Sequence, residues 1–178
     1  MERTVIRMFD EAVSTFATEA YALRKTDSGY EATSYAEARD RSRCFAAALI
    51  ARGFERGDSA AILAEGSPEW IIAEMGLLMA GCVSVPLSIK LLGEEIPFRL
   101  DHSQSRAILT TRNQFEKVLG SLGAASSGKI LIGYLDEDLV EARRVASGSG
   151  VDPERIVGFA ELLAEGRALL ADPAKGMP

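Results

Sequence analysis

Residues 59–86 read SAAILAEGSPEWIIAEMGLLMAGCVSVP, and this stretch decides the fold. Residues 59–64 are small and apolar without interruption, the pattern of a strand buried on both faces. Ser67-Pro68-Glu69 then starts a helix: a hydroxyl to cap it, a proline at the first position, an acid at the positive dipole end. Trp70, Ile71, Leu77 and Leu78 carry that helix to a glycine stop at Gly81. Residues 82–86 return as a second strand. A buried strand, a capped helix and another buried strand form the repeating unit of a parallel sheet.

The same alternation continues toward the C-terminus. Residues 93–103 read as a short helix with Pro97 near its start, 106–111 as a strand, 114–122 as a helix and 129–134 as a strand. Ile156-Val157 forms a last short strand before a helix over 160–170. Toward the N-terminus, Val5, Phe9, Ala12, Val13, Phe16 and Ala17 recur at helical spacing over 4–19. Residues 21–24 and 30–33 read as two short strands around the turn Asp27-Ser28-Gly29. Ser34 and Glu37 form a capping box for a helix carrying Ala38, Phe45, Ala48 and Leu49, which ends at Gly53. The expected fold is α/β: a mostly parallel, doubly wound sheet with helices on both faces, plus a small N-terminal hairpin apart from that sheet or at its edge. Its core strands are 59–64, 82–86, 106–111 and 129–134. Ser147-Gly148-Ser149-Gly150 is the one linker-like stretch.

Composition bounds the function. The chain has 178 residues, of which 47% are hydrophobic and 26% charged, with a net charge of −6 and a mean hydropathy of +0.05. That excludes disordered and collagen-like chains. No window approaches the ~18 apolar residues of a membrane span. A net acid without a basic block is a poor nucleic-acid binder, so no nucleic-acid partner is expected. Cys44 and Cys82 sit apart in apolar surroundings and read as two buried thiols in a reducing compartment. The N-terminus opens directly into an amphipathic pattern without a signal core, so the expected location is the cytoplasm.

Motif chemistry is sparse. Gly123 to Lys129 has the G-x4-G-K spacing of a phosphate loop. Ile130 stands where that loop needs Ser or Thr, and the segment leads into a strand instead of a helix, so it reads as a surface loop. Asp101-His102-Ser103 holds the residue types of a hydrolase triad, but helical neighbours point ~100° apart and do not converge. With one histidine and two distant cysteines, a Cys/His metal cluster is not available. Trp70 reads as a packing anchor, and Asp136-Glu137-Asp138 as a solvated helix start.

The order of segments is more specific. Ser34-Tyr35-Ala36-Glu37 opens a helix and Gly57-Asp58 precedes an apolar strand. Then come Ser67-Pro68-Glu69-Trp70, residues 80–87 (AGCVSVPL) and residues 101–109 (DHSQSRAIL). This series, from about Val5 to Asp172, resembles the N-terminal part of the adenylate-forming enzymes: acyl-CoA synthetases, luciferases and peptide-synthetase adenylation domains. The Pro-Glu-Trp helix start and the Ala-Gly…Val-Pro-Leu strand look most like long-chain fatty-acid–CoA ligases.

The resemblance implies a two-step reaction. A carboxylate attacks ATP to give an acyl-adenylate and pyrophosphate, and the CoA thiol then displaces AMP. ATP, magnesium and CoA are the cofactors of the full-length enzyme. The family supplies its phosphate loop and a C-terminal lid bearing a catalytic lysine from segments that match nothing here. Residues 1–178 are therefore expected to be an incomplete N-terminal subdomain, with no catalytic residue, no tight cofactor binding and no activity alone. One weaker carry-over is Lys90 in Ser88-Ile89-Lys90. It aligns with a loop that lines the CoA nucleotide site in acetyl-CoA synthetases and would meet a phosphate there, although the aromatic and glycines of that loop are missing. The expected partner is the remainder of the ligase chain, and an uncovered apolar face would favour self-association. The alternative is a stand-alone, non-catalytic interaction module that reuses this subdomain.

Overall fold

The computed structural model describes residues 4–122 and 130–172. The glycine-lysine stretch from Gly123 to Lys129 lies outside the described residues. Helix α1 (Val5–Phe16) is capped by Thr4, whose hydroxyl accepts from the Arg7 amide at 3.2 Å. It leads into an antiparallel hairpin of β1 (Ala20–Thr26) and β2 (Gly29–Ser34) that forms its own two-stranded sheet. Helix α2 (Tyr35–Ala51) starts on the capping box read from Ser34 and Glu37, with both reciprocal bonds made. Its end is set by Gly53, whose φ of +80° is a left-handed conformation that glycine adopts without strain.

Then the alternation begins. Strand β3 (Ser59–Leu63) precedes helix α3 (Pro68–Met79), capped by the Ser67 hydroxyl on the Trp70 amide at 3.1 Å. Next come β4 (Val83–Pro86), α4 (Ile96–His102), β5 (Ser105–Thr110) and α5 (Arg112–Leu122). The remaining elements are β6 (Leu131–Tyr134), α6 (Leu139–Gly148), β7 (Ile156–Gly158) and α7 (Phe159–Ala171). The five strands β3 to β7 make one wholly parallel sheet in the order β4-β3-β5-β6-β7.

Two local differences from the sequence reading have physical causes. The helix expected over 93–103 begins as a single 3-10 turn, Gly93–Glu95, because Pro97 fits only the first turn of the α-helix that follows. The linker-like residues Ser147 and Gly148 are the last turn of α6, which buries Ala142 and Ala146 under the sheet. The short strand read at Ile156-Val157 joins the four expected core strands as β7, a fifth paired strand, with Ile132 opposite Ile156 and Tyr134 opposite Gly158.

Alternating strand residues divide the core into two layers. Ala60, Ile62, Ala107, Leu109 and Val157 face α2, α3 and α7. Ala61, Leu63, Ile108, Ile132 and Ile156 face α4, α5 and α6. This period of two in a fully covered sheet makes the fold doubly wound. Trp70 packs half-buried against the first layer, as expected of an anchor. Helix α2 meets α7 at Gly166 and α3 at Gly76, and the Ser42 hydroxyl donates to the Ile72 carbonyl at 3.0 Å.

Cys44 and Cys82 are both buried and free. Burial, with the Asp58 charge adding to it, pushes the Cys82 thiol up to about 11. Burial also raises the Cys44 thiol above its ordinary value. Because the thiolate is the nucleophile, neither cysteine of the folded chain is expected to react measurably with iodoacetamide at pH 8, whereas urea-unfolded chain should label at both. Fast labelling of Cys82 in the folded protein would contradict this packing.

Candidate functional site

In a doubly wound sheet the ligand crevice opens outside the carboxyl ends of the strands, where successive helices leave toward opposite faces. Here that point lies between β3 and β5. Helix α3 follows β3 onto one face and α5 follows β5 onto the other. A cavity of about 530 Å³ occupies the place, lined by Glu65 and Ser67 after β3, Thr111, Arg112 and Asn113 after β5, residues 136–138 after β6, and Arg24 from the hairpin.

Its polar groups are mostly engaged with each other. The Glu65 carboxylate accepts from the Thr111 hydroxyl and, at 2.5 Å, from Gln114 Nε2. Asp136 accepts from the Arg112 amide at 2.5 Å, which puts a carboxylate on the N-terminus of α5. Arg112 also pairs with Asp138 at 3.1 Å. Arg24 reaches across to Glu69 at 2.5 Å, and Glu69 takes a second guanidinium from Arg41 at 3.0 Å. Four carboxylates, Glu65, Asp136, Glu137 and Asp138, thus line the crevice against two guanidiniums, Arg24 and Arg112. The helix end that would attract a phosphate already holds Asp136. The crevice does not fit the phosphates of ATP or CoA.

Burial raises the Glu65 carboxyl, but hydrogen bonds from Thr111 and Gln114 outweigh it and leave the group below its ordinary value. A carboxyl held down in the folded state adds stability above its unfolded value, about 4.3. That contribution disappears as pH falls through the lower folded value. Glu65→Gln is therefore expected to destabilise the chain at neutral pH, and the gap from the parent should close on acidification below about pH 4. Urea denaturation at stepped pH measures it. A gap that stays constant from pH 7 to pH 3 would remove the electrostatic account.

The sequence candidates fall elsewhere. Lys90 is exposed in the loop after β4, with its backbone N–H on the Ser88 hydroxyl at 3.2 Å, and it does not line the crevice. Lys117 Nζ donates to the Ile89 carbonyl at 2.7 Å and fixes the same loop. His102 is exposed and stacks on Phe98 at 5.7 Å, while the Ser103 hydroxyl donates to the Arg99 carbonyl. No triad forms among Asp101, His102 and Ser103. Among the described residues no group of His, Cys, Asp and Glu is placed to hold a metal ion. The crevice residues Glu65, Thr111 and Gln114 carried no motif. Their signal was position: each lies within a few residues of the end of a correctly read strand.

A family model described as "AMP-binding enzyme" matches residues 9–163. The chain is 27% identical over 169 residues to the peroxisomal long chain acyl-CoA synthetase 7 of Arabidopsis thaliana, covering 91% of this chain and 23% of that protein. It is 32% identical over 98 residues to the human long-chain-fatty-acid–CoA ligase 1, covering 54% of this chain and 14% of the human protein. The chain thus spans less than a quarter of the length of these curated relatives. Among solved structures, the A-PCP didomain of the carboxylic acid reductase from Segniliparus rugosus, in complex with AMP, superposes with a TM-score of 0.76. That match has 17% identity and covers 94% of this chain and 27% of the didomain. The adenylation domain of the Mycobacterium chelonae carboxylate reductase gives 0.75 at 20% identity, covering 93% of this chain and 29% of that one. At these identities the two structures speak for the fold alone. The family match spans nearly all of the parallel sheet and both helical layers, and by it the chain belongs to the AMP-binding, adenylate-forming enzymes.

Proposed function

We propose that this chain serves as the N-terminal subdomain of an AMP-forming fatty-acid–CoA ligase. The proposed reaction joins a carboxylate to ATP as an acyl-adenylate, releasing pyrophosphate, and then passes the acyl group to the CoA thiol with loss of AMP. The observation that carries this reading is the family match over residues 9–163, and the long-chain acyl-CoA synthetases among the relatives support the fatty-acyl class. The anionic character of the crevice supports a division of labour. Phosphates and their magnesium would be held by other parts of a complete enzyme, while this subdomain supplies the rigid wall behind them. Lys90, exposed and cationic, is the residue of this chain we assign to a CoA phosphate. We place the protein in a reducing compartment, in our reading the cytoplasm, on the strength of its two unpaired buried thiols.

The test is ATP–pyrophosphate exchange by the purified 178-residue chain with a panel of carboxylates from acetate to palmitate. The expected result is background exchange with every acid, because the described residues offer no cradle for the phosphates. Exchange clearly above background in clean material would overturn the subdomain reading.

The reading also implies a partner, the remainder of the ligase, for apolar side chains now facing water. Val5, Met8 and Phe16 on α1 are about half exposed, as is Val83 on the edge strand β4, and Leu92 before α4 and Phe98 on α4 are more exposed still. Exposed apolar area attracts cover at roughly 25 cal/mol per Å². The isolated chain should therefore self-associate, and sedimentation velocity between 5 and 200 µM (order-of-magnitude limits for a weak contact) should show a rising weight-average coefficient. A concentration-independent monomer would favour the self-contained module instead.

A further inference from the structure

Helices α1, α2, α3 and α7 enclose a groove of about 370 Å³ away from the strand ends. Its lining combines aliphatic side chains, Ile6 from α1, Ile50 from α2, Met79 from α3 and Leu170 from α7, with the charged Asp10 of α1 and two arginines of α2. Two guanidiniums stand at its rim one helical turn apart on α2, Arg39 and Arg43. They are not equivalent. Arg39 is committed to Asp10 at 3.0 Å. Arg43 has neither an ion pair nor a hydrogen bond with any described residue. A groove lined by these aliphatic side chains, with one uncommitted cation among them, is complementary to an amphiphile with a single negative head. Asp10 repels that head from Arg39 and leaves Arg43 as its anchor. At about 30 Å³ for a water-sized group, the groove holds roughly a dozen such groups, about the heavy-atom count of a medium-chain fatty acid.

We infer that this groove binds a single-chain aliphatic carboxylate, with the head group on Arg43 and the chain along Ile6, Ile50, Met79 and Leu170. The site lies in the helical layer and not at the crevice. The inference does not rest on the ligase reading, since it concerns binding and needs neither ATP nor CoA.

Calorimetric titration of the 178-residue chain with decanoate, without nucleotide, tests it. Saturable binding is expected, tightening about fourfold per methylene from octanoate to decanoate and levelling off once the groove is full. Arg43→Glu should weaken decanoate at least tenfold and Arg43→Lys should largely restore it. Decanol, which has the same chain and no charge, should bind more weakly than decanoate and be indifferent to Arg43→Glu. Leu170→Glu, at a partly exposed wall position, should weaken both ligands. Arg43 is exposed, and urea denaturation of each variant confirms that it folds. If Arg43→Glu does not fold, Arg43→Gln takes its place. No saturable binding, decanoate binding unchanged by Arg43→Glu, or decanol binding as tight as decanoate would each overturn the proposal. So would closure of the groove by a second copy, seen as self-association that Leu170→Glu abolishes and decanoate does not disturb.

Discussion

Gly166→Ala should destabilise the chain by about 3 kcal/mol, the upper end of the range for overpacking, although alanine is the better helix former by about 1 kcal/mol. A Cβ at position 166 would stand 1.7 Å from the Cys44 carbonyl oxygen, 2.5 Å from its carbon and 2.9 Å from its Cα. Ordinary contact begins near 3.4 Å, so α7 must retreat from α2. The obstacle is backbone inside a helix and cannot rotate aside, as a side chain would. The retreat loosens Phe45 from Phe159, whose rings lie 5.3 Å apart, and strains the Arg52–Glu165 pair at 2.7 Å. Thermal midpoints should fall by roughly 6–12 °C for a domain of this size. Gly76→Ala should cost less, because the nearest atom is Phe45 Cδ1, which can turn, although the Ser42 carbonyl at 2.9 Å resists. Gly120→Ala is the control. It lies in α5 with nothing within 4 Å and should be neutral or stabilising by up to about 1 kcal/mol. Urea denaturation followed by circular dichroism ranks the three. A loss under about 1 kcal/mol at Gly166 would mean that α2 and α7 are not in such close contact.

Nothing in the sequence announces Gly166 as a contact, whereas the elements around it were legible. Strands 59–64 and 106–111 were readable because burial on both faces leaves an unbroken apolar centre, residues 60–64 in one and 107–109 in the other. The helix starts at Ser34 and Ser67 were readable because capping is local chemistry within four residues. The C-terminal half of α6 was not, because Ser147 and Gly148 have the composition of a linker and only the packing of Ala142 and Ala146 beneath the sheet extends the helix through them. The pairing order β4-β3-β5-β6-β7 was implied only as a class of topology. The order, in turn, locates the crevice.

The crevice was accordingly illegible residue by residue. Glu65 is one acid among 26 Asp and Glu, and its pairing with Thr111 and Gln114 spans more than forty positions. Asp136 was legible as an acid suited to a helix start, but the helix it serves through the Arg112 amide is α5, not α6. The family resemblance reached the right family through the order of segments, yet its one carried-over residue, Lys90, sits outside the crevice. Segment order reports the shared scaffold. The polar lining of a site is set by side chains that meet only after the sheet has formed.

Glu69→Ala is expected to cost about 2 kcal/mol and to loosen the hairpin more than the sheet. Glu69 begins α3 with its carboxylate only 10% exposed, and it receives Arg24 of β1 at 2.5 Å and Arg41 of α2 at 3.0 Å. Removing one partner of a buried ion pair costs about 3–5 kcal/mol, because the other charge stays behind unpaired. Here the arginines are 44% and 27% exposed, so water recovers part of that loss and the estimate falls to about 2. The damage should be uneven. Arg41 keeps its place over the Phe159 ring at 5.9 Å, whereas Arg24 belongs to a separate two-stranded sheet, for which Glu69 is the ionic tie to α3. Such a hairpin is marginal alone. Amide hydrogen exchange over β1 and β2 should therefore accelerate by at least tenfold in Glu69→Ala while the β3 and β5 amides slow or quicken only with global stability. Glu69→Gln keeps one acceptor and should fall between the two. Arg24→Ala should reproduce the hairpin effect at a smaller global cost, since it deletes the exposed partner and leaves Glu69 with Arg41. The double variant Arg24→Ala/Glu69→Ala should then lose less than the sum of the singles, the signature of direct coupling. Because Arg24 also lines the crevice, the carboxylate that opens α3 sets where that guanidinium stands over the strand ends. Hairpin exchange unchanged in Glu69→Ala, or strictly additive losses, would dissolve that link between the fold and the site.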